Sequence, residues 1–344
     1  MLYRSRAPLR IGLAGGGTDV APYSDLYGGN ILNVTISLFA YTTIELLEEP
    51  IIIFESLDQS TYKSFELNDT LPLDPEFALV QGVYHRVVKD YGMVPQGFKL
   101  TTHVDVPGGS GLGTSSTLVV SILGAFKEWL NLPLGNYDVA HLAYEIERVD
   151  LGLAGGKQDQ YAATFGGVNF MEFFSDDRVV VNPLRVKREF LFELEHNLLL
   201  VYTSTTRESA KIIKEQAANI ESSTSSSVEA THLLKEQANM MKEAVLKGQL
   251  HKIGEILDYG FVQKRKLADG ISNPLLEEFY EAAKEKGASG GKISGAGGGG
   301  FMIFYCPENT QYAVAEKLKE MGGKVFKYQI VEKGLTTWPV KVLT

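Results

Sequence analysis

Glycine is unevenly distributed along this chain of 344 residues. The 35 glycines make up about a tenth of the sequence, whereas an average protein has about 7%. Many of them fall in short runs, at Gly15–Gly17, Gly108–Gly113, Gly155–Gly156, Gly166–Gly167 and Gly287–Gly300. One such run is commonly a tight turn. Several runs joined to predicted strands and helices indicate a backbone that approaches a ligand closely.

The composition excludes several classes of protein. Apolar residues make up 44% of the chain and charged residues 22%, which is typical of a globular protein and excludes a disordered or collagen-like one. The net charge is −9, whereas a protein that binds a nucleic-acid duplex usually carries an excess of basic residues. We therefore expect no nucleic-acid partner. The longest apolar stretch, Thr117–Phe126, is too short to span a bilayer, so we expect no membrane partner. The single cysteine, Cys306, cannot form an internal disulfide, and we expect a cytoplasmic location.

Hydrophobic patterning predicts an α+β protein with two domains. The first 60 residues are predicted to be rich in strands, which lie at Arg10–Leu13, Ile31–Leu38, Thr42–Leu47 and Ile51–Glu55. After Arg207 the pattern changes to long amphipathic helices, predicted at Glu208–Ile220, Val228–Leu246 and Leu250–Leu267, with a final strand at Lys324–Ile330. We therefore predict a domain boundary at residue 190, between domains that span residues 1–190 and 191–344.

One glycine run precedes a predicted helix at Thr117–Leu130 and carries a cluster of hydroxyl groups. Its residues are Pro107, Gly108, Gly109, Ser110, Gly111, Leu112, Gly113, Thr114, Ser115 and Ser116. A helix N-terminus has unpaired N–H groups and a partial positive charge, and glycines let the backbone wrap an anion. Hydroxyls here could cap the helix, bind phosphate or ligate Mg²⁺. The pattern favours a phosphate-binding loop over a capped helix alone.

A second glycine run contains a formal G-x-G-x-x-G at Gly295, Gly297 and Gly300. In dinucleotide-binding proteins this motif follows a strand and opens a helix. Here it leads into Phe301–Tyr305, which has the pattern of a strand. A nicotinamide-dependent dehydrogenase is therefore the less favoured alternative.

Three motifs together resemble the GHMP kinase family, named for galactokinase, homoserine kinase, mevalonate kinase and phosphomevalonate kinase. Ala7–Asp19 is similar to the first motif of the family, Pro107–Ser116 resembles its P-x-x-x-G-L-G-S-S motif, and Lys292–Gly300 is similar to its third motif. The resemblance implies a ribosomal protein S5 domain 2-like N-terminal domain, a ferredoxin-like C-terminal domain and an active site in the cleft between them. It also implies ATP and Mg²⁺ as cofactors, with Gly297–Gly300 supporting the phosphate loop.

The resemblance implies roles for individual residues in phosphoryl transfer. Asp159 would accept or orient the proton of the attacking hydroxyl, with a helix N-cap as the alternative role. Arg10 would stabilise the transition state beside the transferred phosphate. Ser115 and Glu147 would be the metal ligands, and Glu145 is the alternative to Glu147.

The substrate end of the first motif differs from that of galactokinases, which have G-E-H-T-D where this chain has Gly15–Asp19. Two side chains are lost, which opens space and exposes backbone N–H groups that could receive an anion. Together with Gly156–Gln160, this version looks most like the branch of the family that phosphorylates the anomeric hydroxyl of D-glycero-D-manno-heptose 7-phosphate to the 1,7-bisphosphate. The predicted substrate contacts are Gly15, Gly16, Gly17, Thr18, Asp19, Lys157, Arg207, Gly297 and Gly298.

Two alternatives keep the fold. An L-fucokinase or another hexose 1-kinase of the family would share the mechanism, although L-fucokinase domains usually belong to longer bifunctional chains. A catalytically silent regulator that binds sugar and ATP would lack the chemistry, and the presence of Arg10, Ser115 and Asp159 argues against it. Whether the protein forms a homodimer is left open.

Overall fold

The computed structural model describes residues 1–204, 209–222 and 225–341. The strands are β1 (Leu2–Ala14), β2 (Gly29–Leu46), β3 (Ile51–Ser56), β4 (Thr61–Glu66), β5 (Phe98–Val104), β6 (Val168–Phe173), β7 (Val179–Pro183), β8 (Leu198–Tyr202), β9 (Gly290–Ile293), β10 (Phe301–Tyr305), β11 (Lys324–Phe326) and β12 (Thr336–Val340). The helices are α1 (Tyr23–Tyr27), α2 (Ala78–Tyr91), α3 (Thr114–Leu130), α4 (Asn136–Glu145), α5 (Gln158–Phe165), α6 (Arg188–Asn197), α7 (Ser209–Glu221), α8 (Ser225–Leu246), α9 (Ile253–Lys264), α10 (Pro274–Glu285) and α11 (Thr310–Glu320). Single turns of 3₁₀-helix lie at Pro75–Phe77 and Leu250–Lys252, and a π-helical turn lies at Ile146–Asp150.

The larger sheet contains strands from the first part of the chain together with the last strand. Its order is β12-β1-β2-β5-β3-β4, and β6 and β7 extend it from β2. The length of β2 allows two neighbours on one side, because Gly29–Val34 pairs with β6 and Ala40–Leu46 pairs with β5. The register between β1 and β2 shifts between Pro8 and Arg10, which fits a proline that has no ladder N–H to donate. This irregularity immediately precedes Arg10, at the end of β1 that reaches the site described below.

The smaller sheet has the order β11-β8-β10-β9 and is antiparallel, and α10 and α11 pack against it. A shared apolar core joins the two sheets, because Leu9 and Ile11 of β1 lie in one cluster with Leu200 of β8, Met241 of α8 and Ile303 of β10. A second core lies between the larger sheet and α2, α3 and α4. The two halves therefore have a common buried base, above which a cleft remains.

The structure confirms the predicted change from strands to long helices and corrects several element boundaries. The strands predicted at Ile31–Leu38 and Thr42–Leu47 form the single strand β2. Helix α3 begins at Thr114, three residues earlier than predicted. The helix predicted over Leu250–Leu267 is α9 preceded by a 3₁₀ turn, and it ends at Lys264. Glu208, the first residue of another predicted helix, lies outside the described residues.

The last part of the chain returns to the larger sheet. The predicted final strand Lys324–Ile330 ends at Phe326, because the chain then crosses over and Ile330 bridges Ile36 of β2. Strand β12, which the patterning missed, pairs with β1. The domain boundary at residue 190 stays a prediction. In the described parts of the chain, no helix is both long enough and apolar enough to cross a membrane.

Candidate active site

A cleft of about 340 Å³ lies above the shared core and gathers half of the predicted site residues. One wall is formed by the end of β1 with the turn that follows it, the glycine loop, and α5 with the segment before it. The opposite wall is formed by α7, α9, β9 and the loop after β9. A cleft with polar groups converging from two halves of a molecule is the usual form of a small-molecule site.

The glycine loop ends at Gly113, so Thr114, Ser115 and Ser116 form the first turn of α3 rather than part of the loop. Gly109, Gly111 and Gly113 have positive φ angles of 68°, 86° and 79°, a region that side chains disfavour. All six of these residues line the cleft. The other residues of the motif do not: Pro107 and Gly108 are exposed on the outside, and Ser110 and Leu112 are buried beneath it.

The third motif supports this loop from the other half of the chain. Ser294 Oγ donates to the Gly111 carbonyl at 2.9 Å, and Phe301 N donates to the Ser110 carbonyl at 2.9 Å. A Cβ on Gly300 would lie 2.3 Å from the same Ser110 carbonyl oxygen. Gly297 and Gly298, which were predicted to contact the substrate, do not line the cleft. Both pack against Ile271, and Gly298 N donates to the Ile271 carbonyl at 2.7 Å.

Asp159 and Arg10 form a buried ion pair that also holds the glycine loop. Arg10 Nε and Nη2 both lie 2.7 Å from Asp159 Oδ1, and Arg10 Nη1 donates to the Gly111 carbonyl at 2.6 Å. The Arg10 side chain is 5% exposed and that of Asp159 is 20% exposed. Because the guanidinium occupies Oδ1, Asp159 Oδ2 is left as the acceptor oxygen beside the loop.

The position of Asp159 in its helix argues against a purely structural role. It lies in the first turn of α5, after Lys157 at the N-cap, and the helix start shows no side-chain cap. A Cβ on Gly113 would lie 3.0 Å from Asp159 Cγ, so the loop can pass the carboxylate closely only with glycine there.

The predicted metal ligands Ser115 and Glu147 lie next to each other. Ser115 Oγ donates to Glu147 Oε1 at 3.1 Å, and Gln160 Nε2 donates to Glu147 Oε2 at 2.6 Å. Glu147 is fully buried in the π-helical turn. Their hydroxyl and carboxylate oxygens fit Mg²⁺, which prefers hard oxygen ligands and takes the rest from water and substrate phosphates. The described residues contain no group of three or more His, Cys, Asp and Glu side chains arranged for a metal.

Asp19 lies at the sugar end of the first motif, where it is 2% exposed and lines the cleft. Its Oδ2 accepts from the Gln158 backbone N–H at 3.0 Å. A Cβ on Gly156 would lie 1.9 Å from that oxygen, so the glycine is required for this approach. Burial raises the pKa of Asp19 despite the Gln158 hydrogen bond. Gln158 Oε1 is buried without a partner among the described residues and faces the same cleft.

Two lysines form the cationic floor of the cleft. Lys264 Nζ donates to the Gly16 carbonyl at 3.1 Å, and Lys292 Nζ donates to the Gly12 carbonyl at 2.8 Å. Burial lowers the pKa of Lys264 to about 8, and burial together with the charges of Lys264 and Arg10 lowers the pKa of Lys292 to about 7. Cations with lowered pKa values that line a cleft mark a candidate anion site.

The structure places several predicted substrate residues away from the cleft. Lys157 Nζ lies 2.7 Å from Asp177 Oδ1 and 3.4 Å from Asp25 Oδ1, so this lysine serves an ion-pair cluster behind α5. Thr18 Oγ1 donates to the Asn30 carbonyl and stabilises the turn after β1. Gly15 packs against that same carbonyl, while Gly16 and Gly17 line the cleft. Arg207 lies outside the described residues.

Sequence reasoning missed five polar side chains that line the cleft, those of Arg148, Gln158, Gln216, Lys264 and Lys292. Lys292 stood inside the third motif without an assigned role. Lys264 had a signal, because it lies beside Phe261 on the buried side of α9, where a lysine requires a polar partner. Gln216 on α7 had no such signal, since its role depends on how α7 and α9 pack.

Comparison with known proteins agrees with this geometry. The family model for the GHMP kinases N terminal domain matches residues 78–167, and that for the GHMP kinases C terminal domain matches residues 241–324. A D-glycero-alpha-D-manno-heptose 7-phosphate kinase from Campylobacter jejuni is 44% identical over 337 residues, which cover 98% of this chain and 99% of that protein.

Two further relatives widen the comparison. The crystal structure of a D-glycero-D-manno-heptose 1-phosphate kinase from Bacteroides thetaiotaomicron has a TM-score of 0.85 and 44% identity, and covers 99% of this chain and 100% of that chain. An L-fucokinase/L-fucose-1-P guanylyltransferase from Bacteroides fragilis is 28% identical, and the match covers 90% of this chain and 35% of that protein. The expected fold is confirmed, and the chain belongs to the GHMP kinase family.

Proposed function

We propose that this protein transfers the γ-phosphoryl group of ATP to the anomeric hydroxyl of D-glycero-D-manno-heptose 7-phosphate, giving the 1,7-bisphosphate. The observation that carries the proposal is the meeting of three groups in one cleft. These are the Arg10–Asp159 ion pair, the Asp19 carboxylate and the floor of Lys264 and Lys292. A kinase for a neutral sugar needs the first two groups, whereas the two lysines favour a substrate with its own phosphate.

The Arg10–Asp159 pair supports a general-base role for Asp159. Oδ1 is fixed by the guanidinium, so the free Oδ2 can accept the proton of a substrate hydroxyl in the cleft. Arg10 connects this carboxylate to the Gly111 carbonyl. The same fixed cation therefore orients the base and stabilises charge on the transferred group.

The loop and α3 support nucleotide binding. The positive-φ glycines bring backbone close to the cleft at the N-terminus of a 17-residue helix, which is a favourable place for phosphate oxygens. Ser110 Oγ is buried without a partner among the described residues, and this hydroxyl is available beneath the loop. Ser115 and Glu147 would hold Mg²⁺, which when bound neutralises charge on the transferred phosphoryl group.

The relatives favour a heptose phosphate over fucose, because the heptose kinases are 44% identical and the fucokinase protein 28%. The names of the two heptose kinases differ, since one refers to a 7-phosphate and the other to a 1-phosphate. We propose the 7-phosphate as substrate because the anomeric hydroxyl is then free to reach Asp159.

The test is Mg²⁺-dependent ADP release with heptose 7-phosphate, heptose 1-phosphate, mannose 6-phosphate, fucose and galactose as separate acceptors. We expect turnover with heptose 7-phosphate and a product whose ³¹P NMR spectrum contains a new anomeric phosphate. Asp159→Asn should lower kcat by about 10²- to 10⁴-fold. Asp177→Asn is the control, because it removes a carboxylate from the ion-pair cluster of Lys157 behind α5.

The other acceptors give distinct answers. Turnover with fucose alone would keep the fold and the mechanism but refute the phosphorylated substrate. Turnover with heptose 1-phosphate alone would place the acceptor hydroxyl elsewhere on the sugar.

The cytoplasmic location and a homodimer stay predictions, and the buried free thiol of Cys306 is consistent with a reducing compartment.

A further inference from the structure

We propose that Lys264 binds the phosphate group of the sugar phosphate and thereby selects phosphorylated over unphosphorylated sugars. The inference rests on the proposed function, because it names the residue of that same cleft that recognises the far end of the substrate. Lys264 belongs to none of the three glycine-rich motifs, and its position is defined only by the packing of α9 against the turn after β1.

No carboxylate among the described residues lies within ion-pair distance of the Lys264 ammonium, although the charge of Asp19 acts on it. Its side chain is 6% exposed, and its two hydrogen-bond acceptors are neutral oxygens, Gly16 O at 3.1 Å and Gln216 Oε1 at 3.4 Å. No ion pair joins it to a carboxylate within the described ranges. A buried charge held by neutral groups is costly until an anion joins it, and the third N–H of the ammonium remains for that anion.

The position of Asp19 indicates how Asp159, Asp19 and Lys264 follow one another along the cleft. The charges of both Asp159 and Lys264 act on its carboxylate, so Asp19 lies near the two of them. A sugar whose anomeric hydroxyl meets Asp159 and whose ring hydroxyls meet Asp19 extends its other end toward Lys264. In a heptose 7-phosphate the anomeric carbon and the phosphate lie at opposite ends of the carbon chain, which matches this order.

Gly17 makes room for the ammonium. Its φ angle is 106°, and a Cβ on it would lie 3.0 Å from Lys264 Nζ and 3.6 Å from Gln216 Oε1. A Cβ at position 17 would therefore crowd the ammonium, and the conformation at this position favours glycine. Gly17 of the first motif and the lysine of α9 thus pack against each other, although 247 positions separate them in the sequence.

Lys292 has a different position on the same floor. Its Nζ donates to the Gly12 carbonyl at 2.8 Å, whereas Lys264 donates to the Gly16 carbonyl, and the charges of Lys264 and Arg10 both act on it. Because Gly12 is two residues from Arg10, Lys292 lies nearer the catalytic pair than Lys264 does, and we assign the sugar phosphate to Lys264.

The experiment measures KM and kcat of the full-length protein for heptose 7-phosphate and for the same heptose without its phosphate. If the unphosphorylated sugar turns over too slowly, its Ki as a competitive inhibitor takes the place of its KM. Lys264→Gln should raise KM for the sugar phosphate by about 10- to 100-fold. It should change kcat little, and it should leave the KM or Ki of the unphosphorylated heptose unchanged. The matched control is Lys266→Gln, which removes the same charge from an exposed neighbour.

A second variant keeps the proposal testable if Lys264→Gln does not fold. Gln216→Glu places a carboxylate beside the ammonium without removing it, and an ion pair there should preserve the fold. The new carboxylate would neutralise Lys264 and repel a phosphate, so KM should again rise for the sugar phosphate alone.

The outcomes separate this inference from the proposed function. Equal losses for the two sugars in the Lys264 and Gln216 variants would show that Lys264 only holds Gly16 and Asp19 in place, and no loss would show that the phosphate binds elsewhere. Either result would overturn the inference while the wild type still prefers the phosphorylated sugar. A wild type without that preference would instead contradict the proposed substrate.

Discussion

In the proposed function, the two ends of the cleft recognise charge by different means. At the nucleotide end, the loop Pro107–Gly113 and the N-terminus of α3 present backbone groups, and the side chains there are small and neutral. At the sugar end, Asp19 and Lys264 present ionisable side chains from the first and last thirds of the chain. Backbone recognition requires neighbouring residues, whereas side-chain recognition requires only that distant elements pack together.

Arg10 belongs to both ends, so its replacement should have the largest effect. Arg10→Met removes the cation that fixes Asp159 Oδ1 and the Gly111 carbonyl, and it leaves the carboxylate unpaired. We expect kcat to fall by about 10³-fold. Steady-state kinetics at saturating ATP and sugar phosphate measures this. The control is Arg4→Met, an exposed arginine on the same strand. A kcat within about threefold of the wild type would contradict the joint role.

Two glycine variants should separate the two ends. Gly111→Ala forces a side chain into a positive-φ loop position, where its Cβ would lie 2.6 Å from the Ser294 carbonyl oxygen. Gly156→Ala places a Cβ 1.9 Å from Asp19 Oδ2. We expect the first to raise KM for ATP and the second to raise KM for the sugar phosphate, each by about 10- to 100-fold.

The control for this pair is Gly92→Ala. Gly92 has a φ of 62° but nothing within 4 Å of its added Cβ, so this variant has the backbone strain without the collision. Equal effects of Gly111→Ala and Gly156→Ala on both KM values would show that the two ends of the cleft are not independent.

This comparison explains what could be predicted from the sequence. The phosphate-binding loop was predicted from its own glycines and hydroxyls, whereas the roles of Arg10, Asp159, Ser115 and Glu147 came from the resemblance to the family. The structure brings Arg10 to Asp159 and Ser115 to Glu147, and their roles stay predictions. Lys157, two residues before Asp159, was predicted to contact the substrate, yet at the N-cap of α5 its side chain pairs with Asp177. Adjacency in sequence does not decide which side of a helix start faces a cleft.

The same limit applies to the fold. Patterning predicted most of the strands and the long helices, but it missed β12, because the five residues Thr336–Val340 lie at an edge and are partly exposed. Their pairing with β1 is a contact over more than 300 positions. Gln216 and Lys264 were missed for a related reason, because only the packing of α7 and α9 brings them to the turn after β1.

A pH profile should sharpen the contrast, with a smaller effect. The charges near Lys264 are those of Asp19 and Lys292, and Lys292 is in turn affected by Arg10. Burial lowers the pKa of Lys264 to about 8. A lysine is a cation below its pKa, so kcat/KM for the sugar phosphate should fall by about tenfold between about pH 8 and pH 9.5. Lys264→Gln should lower kcat/KM at pH 8 and remove most of the further fall between about pH 8 and pH 9.5. If the variant shows the same fall as the wild type, the titrating group is not Lys264.

The smallest expected effect is on stability. The pKa of Lys292 is about 7 in the folded protein and 10.5 ordinarily. Below about pH 7 the lysine is a cation in both states, and burying that cation lowers the free energy of unfolding. This loss of stability becomes smaller as the pH rises from about 7 toward 10.5. Lys292→Met should raise the apparent Tm by about 2 to 4 °C, more at pH 6.5 than at pH 9.5. Differential scanning fluorimetry without ligand measures this, with Lys266→Met as the exposed control. A lower Tm at pH 6.5 would contradict the cost of the buried charge.

The most direct test of the whole account is a crystal structure with heptose 7-phosphate and a non-hydrolysable ATP analogue bound together. The account predicts the anomeric oxygen within hydrogen-bond distance of Asp159 Oδ2 and the sugar phosphate against Lys264 Nζ. It also predicts the nucleotide phosphates on the loop that ends at Gly113. A sugar bound in the reverse direction, with its phosphate beside Asp159 and its anomeric hydroxyl at Lys264, would contradict both the proposed reaction and the assignment of the lysine.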